Sequence, residues 1–192
     1  MKRIGEISIL QKRRLEEVLY LGLEEQIRVI DTEAIAPIPS RDDYWLTTGG
    51  DVEQIFGYTD CIVAIGQETP TEYLLDLTGT RDRDSSICQT NYRITLLFKQ
   101  LATTEEITFQ ERKMRPLEIV DLMADIYRGA IIEIIDRDAV DGCVITEADI
   151  VSDFADTITI DNIGVTGRAV ITISVRTQVE RSTPAYNVAR QL

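Results

Sequence analysis

The 192-residue chain contains no histidine, only three cysteines, and no apolar run long enough to span a bilayer. Without histidine, serine and cysteine nucleophiles lack their usual base, and zinc loses one of its two common ligands. Cys61, Cys88 and Cys143 are odd in number and widely spaced. That pattern fits reduced thiols in an intracellular product, not a disulfide framework or a zinc site. Positive charge is scarce: 20 Lys and Arg face 33 Asp and Glu, for a net charge of -13. Holding nucleic acid requires clustered Lys and Arg against phosphates, so sequence-specific DNA binding is not expected. The glycines form neither a phosphate loop nor a dinucleotide fingerprint. Met1-Lys2-Arg3 leads into an amphipathic segment, so no signal peptide is expected, and a soluble protein made in the cytoplasm is.

What is present is a folding composition, with 44% hydrophobic and 28% charged residues. The length suits a single domain over 1–192. The clearest element is Gly167 to Val179. Ala169, Ile171, Ile173 and Val175 fall on one side of a strand, and Val170, Thr172, Ser174 and Arg176 on the other, the expected exposed side. Asn91 to Leu101 alternates likewise, setting Tyr92, Ile94, Leu96 and Phe98 against Arg93, Thr95, Leu97 and Lys99. Cys61 to Ile65, Tyr73 to Leu77 and Thr157 to Ile160 read as shorter strands, with turns at Asp141-Gly142 and Gly164 to Gly167.

Two helices are expected. One is capped by Ser8 and runs to about Gln26, with Leu15, Val18, Leu19, Leu23 and Ile27 on one face and Lys12, Arg13, Glu16 and Glu24 opposite. The other begins at Pro116, where a missing N–H costs little, and runs to about Ile135. Leu117, Val120, Ala124, Tyr127 and Ile131 form its stripe, widened by Ile119, Met123, Ala130 and Ile134. The expected fold class is α+β: a mainly antiparallel sheet packed by two amphipathic helices, with long loops or arms.

The arms fall at about 31–59, 78–90 and the 181–192 tail. The first holds Pro37, Pro39, the Gly49-Gly50 pair and Tyr44-Trp45, with a short helical turn expected where Asp51 caps Val52 to Phe56. So long an irregular connection points to a functional loop, an arm or a linker. Aromatic side chains there are candidate anchors for another chain, with folding back onto the parent domain an equal alternative. The candidate interface residues are Tyr44, Trp45, Arg81, Arg83, Arg176, Arg181 and Tyr186.

Chemistry has weaker footing. Glu118, Asp121 and Asp125 share a helix face and would offer oxygen ligands to Mg2+ or Ca2+, but Arg128 on that face makes an ion-paired surface the simpler reading. Arg81-Asp82-Arg83-Asp84 lacks the glycine and terminal glutamate of an EF-hand loop. Asp76 with Glu111 and Lys113 would suit a metal nuclease centre, at a spacing too permissive to count. No catalytic, cofactor-binding or metal residue is assigned. A metal-dependent carboxylate hydrolase or phosphodiesterase stands as the alternative function.

The order NYRITLLFKQL, PLEIVDLMADIYRGAIIEII and GRAVITISVRTQV, preceded by the helix at residues 8 to 27, resembles the tail-terminator and neck proteins of tailed bacteriophages. The likeness lies in the pattern of elements. It implies a non-enzymatic virion protein, assembled in the host cytoplasm as a ring, typically hexameric. Such a ring caps the tail tube at the head-to-tail junction and joins it to the connector or adaptor. DNA would pass its lumen without sequence-specific contact, and no membrane is involved. Residues 31 to 90 carry twelve acidic and three basic side chains. Acidity there would repel DNA phosphates from a lumen wall, or simply confer solubility.

Overall fold

In a computed structural model, residues 4–32, 34–47, 61–74, 85–101, 107–109, 111–160 and 164–180 are described. The elements in chain order are α1 (Ile4–Ile30), β1 (Tyr44–Thr47), β2 (Cys61–Gln67), β3 (Glu72–Leu74), β4 (Ser85–Leu101), β5 (Ile107–Phe109), β6 (Arg112–Met114), α2 (Pro116–Asp138), β7 (Glu147–Ile160) and β8 (Gly164–Glu180). The fold is α+β. One sheet runs β1-β2-β4-β8-β7, with β3 continuing the β2 side of β4, and β5 and β6 form a separate hairpin.

Alternating apolar residues make β4 and β8 the spine of the sheet. They pair antiparallel over their whole length, from Ser85 opposite Glu180 to Leu101 opposite Gly164. Tyr92, Ile94, Leu96 and Phe98 of β4 and Ala169, Ile171, Ile173 and Val175 of β8 face the main core with Cys61, Val63 and Ile65 of β2. The two helices cover this face. Leu15, Val18, Leu19, Leu23 and Ile27 recur at helical spacing and are all buried, as are Val120, Ala124, Tyr127, Ile131 and Ile134 of α2. Each such aliphatic side chain withdrawn from water contributes roughly 1.5–3 kcal/mol, so this face is the main source of cohesion. The helices meet at Gly22, where an added Cβ would lie 3.1 Å from Ile134 Cγ1.

Several local expectations are corrected. Ser8 does not cap α1, which starts at Ile4 and ends at Ile30; Ser8 lies inside the helix and its Oγ donates to Gln67 Oε1 at 2.8 Å. Buried Ile7 and Ile27 carry the apolar stripe just past both expected ends. The 78–90 excursion is shorter than expected, because Ser85 to Thr90 already belong to β4, held there by β8. Gly164 to Gly167 are strand rather than turn, and Thr157 to Ile160 are only the end of the long β7. Leu117 is half exposed, so the α2 stripe extends one residue beyond its cover. Lys12, expected on the open face of α1, is buried with its Nζ donating to Thr47 O at 3.3 Å.

The polar side of β8 is also not open. Val170, Thr172 and Ser174 are buried, and Ile62, Ala64 and Leu97 form a second apolar cluster. Alternation along β2 and β4 puts that cluster on the side of the sheet away from the helices.

Strand β7 carries a bulge between Ile150 and Ser152, with Val151 as the extra residue. One inserted residue reverses the facing of everything after it. Ahead of the bulge, Ala148 and Ile150 point to the core and Glu147 and Asp149 away. Behind it, Asp153 and Thr157 turn towards α2, where Asp153 Oδ2 accepts from Arg128 at 2.5 Å and the Thr157 hydroxyl donates to Asp121. Phe154 and Asp156 turn to the opposite side, against Arg168.

Candidate assembly interface

The sheet has two different edges. Among the described residues neither β1 nor β7 has a strand on its outer side. At one edge, Ser40 opens a short 3-10 turn over Arg41–Asp43, with Asp43 Oδ2 accepting from Ser40 N and Oγ at 2.7 and 2.8 Å. The turn delivers β1 parallel to β2, with Tyr44 opposite Val63 and Trp45 opposite Ala64. A section of the 31–59 arm is therefore sheet; the proposed turn at Val52 to Phe56 lies outside the described residues.

Tyr44 and Trp45, adjacent in sequence, part company because successive strand residues face opposite ways. Tyr44 turns inward. Its ring stands edge-on to Tyr20 at 5.7 Å, and its hydroxyl donates to Leu19 O at 3.4 Å. Burial, reinforced by nearby Cys61, pushes its pKa well above the ordinary tyrosine value. Arg41 lies over the Tyr20 ring at 4.6 Å and pairs with Glu16. Trp45 turns outward and is 41% exposed, beside Leu46 at 39%.

At the other edge, β7 exposes Val151 at 57% and Phe154 at 44%. Arg168 lies over the Phe154 ring at 5.5 Å and is held there by Asp156. Sequence reasoning did not single out Leu46, Val151 or Phe154. The only local signal was an aromatic residue within the acidic run from Glu147 to Asp156.

Arg176 is committed within its own subunit, donating to Glu147 Oε2 at 2.6 Å and Gln89 Oε1 at 3.2 Å. It lies six residues along β8 from Val170, the strand residue beside Phe154, or about 20 Å. Arg81, Arg83, Arg181 and Tyr186 lie outside the described residues, as does Asp76.

The acidic face of α2 is divided among separate partners. Glu118 accepts from Arg115 N at 2.8 Å and pairs with Arg112, Asp121 accepts from Thr157, and Asp125 pairs with Arg128 at 3.4 Å. Glu111 and Lys113 sit on the exposed β5–β6 hairpin. Among the described residues no three carboxylate or cysteine side chains converge on a common point. Cys61 and Cys88 are buried and Cys143 is exposed, and no disulfide joins them.

One chain of polar groups crosses the core. The Tyr92 hydroxyl lies 2.7 Å from Gln11 Oε1 and 3.2 Å from Ser8 O, and Gln11 Nε2 donates to Thr177 Oγ1 at 2.7 Å. Thr177 donates in turn to Val144 O. This chain ties α1 to β4 and β8, and burial raises the Tyr92 pKa.

The described fold and edges define an α+β protein with two unlike, partly apolar sheet margins. No helix among the described residues is long and apolar enough to cross a membrane. No protein-family model matches the chain, and no curated protein matches it.

Proposed function

We propose that this chain is a structural virion protein that forms a ring at the head-to-tail junction of a tailed bacteriophage, capping the tail tube and joining it to the connector. The observation that carries the reading is the pair of non-equivalent sheet edges, β1 and β7, on opposite sides of one subunit. A subunit with two unlike sticky margins associates head to tail, which closes into a ring when the rotation permits. The element order that resembles tail-terminator and neck proteins supports the same assignment. So does the net charge of -13, because an acidic ring repels the DNA passing through it and does not trap it.

The mechanism is geometric. The ring covers one end of a finished tube and presents a different surface to the next component, with six subunits as the expected number. Electron microscopy and light scattering of the purified protein test this: rings of uniform size are the expected result. A stable monomer that cleaves phosphodiesters only with added Mg2+ or Mn2+ would overturn the proposal in favour of a hydrolase.

A further inference from the structure

Trp45 and Phe154 lie at opposite margins of the sheet in one unbroken row. Trp45 is opposite Ala64, Ala64 opposite Thr95, Thr95 opposite Val170, and Val170 opposite Phe154. Both aromatics face away from the helices. The other three residues of β1 begin similar rows: Tyr44 ends at Ala155, Leu46 at Asp153 and Thr47 at Ser152. All four rows therefore end in the stretch that follows the Val151 bulge. Four strand spacings separate the ends of each row, about 19 Å.

We infer that β1 of one copy pairs with the 152–155 stretch of β7 in the next copy, continuing the sheet and setting Trp45 beside Phe154 of its neighbour. This rests on the ring reading and names the surface that joins its subunits. Strand direction agrees with it. β1 runs with β2, β2 against β4, β4 against β8 and β8 against β7. A copy displaced along the sheet therefore presents β7 antiparallel to β1, with no stagger required.

Charge selects this pairing over one between two β7 edges. β7 carries Glu147, Asp149, Asp153 and Asp156 and no Lys or Arg. Two β7 strands side by side would set carboxylates against carboxylates, which is destabilising. The Val151 bulge also breaks the register such a homotypic pair would need. β1, Tyr-Trp-Leu-Thr, is uncharged, and its four residues fit beyond the bulge without crossing it. Exposure agrees as well, since Trp45, Leu46 and Phe154 are large apolar side chains left partly open at the two margins. In the continued sheet Trp45 and Phe154 become a cross-strand aromatic pair, the kind of contact that stabilises strand pairing.

Cysteine cross-linking tests the contact. Trp45→Cys and Phe154→Cys are made separately on a Cys143→Ser background, checked for folding by circular dichroism, co-expressed and oxidised. The expected product is a covalent dimer from the mixture and none from either variant alone. The double variant should give a ladder ending at the closed ring. A dimer from either single variant, or rings without any mixed dimer, would overturn the edge contact and leave the ring reading standing. A wild-type protein that stays monomeric at high concentration would overturn both. As a second readout, Phe154→Lys should abolish the ring without lowering the melting temperature of the subunit; intact rings from it would also count against the contact.

Discussion

The Phe98 ring lies flat over Gly167, its register partner on the neighbouring strand: a Cβ placed on Gly167 would fall 2.1 Å from Phe98 Cζ. The ring also packs on Tyr127 with centroids 5.0 Å apart, and the Tyr127 hydroxyl donates to Pro37 O. Glycine is thus the opening into which the Phe98 ring fits, and the 34–40 segment is tied to the same stack.

Gly167→Ala should therefore destabilise the subunit by about 1–3 kcal/mol, the usual cost of overpacking a filled core. Denaturant unfolding measures it. Phe98→Leu in the Gly167→Ala background should recover part of the loss, whereas additive losses would show that the ring is not the obstacle.

Val151 separates two effects of the bulge. Its side chain is 57% exposed, so Val151→Ala should change stability by no more than about 0.5 kcal/mol. Deleting the residue is a different perturbation. It would make Ile150 and Ser152 consecutive, as their partners Ile173 and Thr172 already are, so Asp153, Phe154 and Thr157 would keep their present facing. The deletion should therefore leave the subunit folded with a regular β7–β8 ladder, read from thermal or denaturant melts of the two variants; a collapse of stability would show that the bulge itself is required.

Tyr92→Phe should cost about 1–3 kcal/mol, because it leaves Gln11 Oε1 buried without its donor. The same value for Gln11→Leu and for the double variant would mark the pair as one coupled unit. Strict additivity in that cycle would contradict the network.

Asp141 links stability to acid pH. Its Oδ1 accepts from the backbone N–H of Cys143, Val144 and Ile145 at 2.7–2.9 Å, and Arg14 lies 3.7 Å from Oδ2. Burial by itself would raise the pKa, but the three amides and Arg14 outweigh it and hold the carboxyl below its ordinary 3.8. A depressed folded-state pKa adds stability that is fully present above 3.8 and lost as pH falls through the folded value. Asp141→Ala should melt earlier than wild type at neutral pH, and the gap should close below about pH 4. A gap that is constant from pH 7 to about pH 3 would refute this account.

Much of the core was readable along the chain. The period-two residues of Asn91 to Leu101 and Gly167 to Val179, and the 3.6-period stripes of both helices, report burial directly, since each is local and repeated. The candidate interface was read less completely. Trp45 was visible as an aromatic residue in a loop between Pro39 and Gly49. Phe154 was not, because the bulge that exposes it depends on how β7 docks against β8 and α2.

The sequence by itself determined an α+β protein with two amphipathic helices, a largely antiparallel sheet and a strongly acidic charge balance, because periodicity and charge are properties of short segments. Only the tertiary structure decided that Ser85 to Thr90 join the spine, that Thr172 and Ser174 are buried, and that Trp45 and Phe154 end the same row. Register and facing arise between segments distant in the chain, and one inserted residue such as Val151 is enough to reverse them.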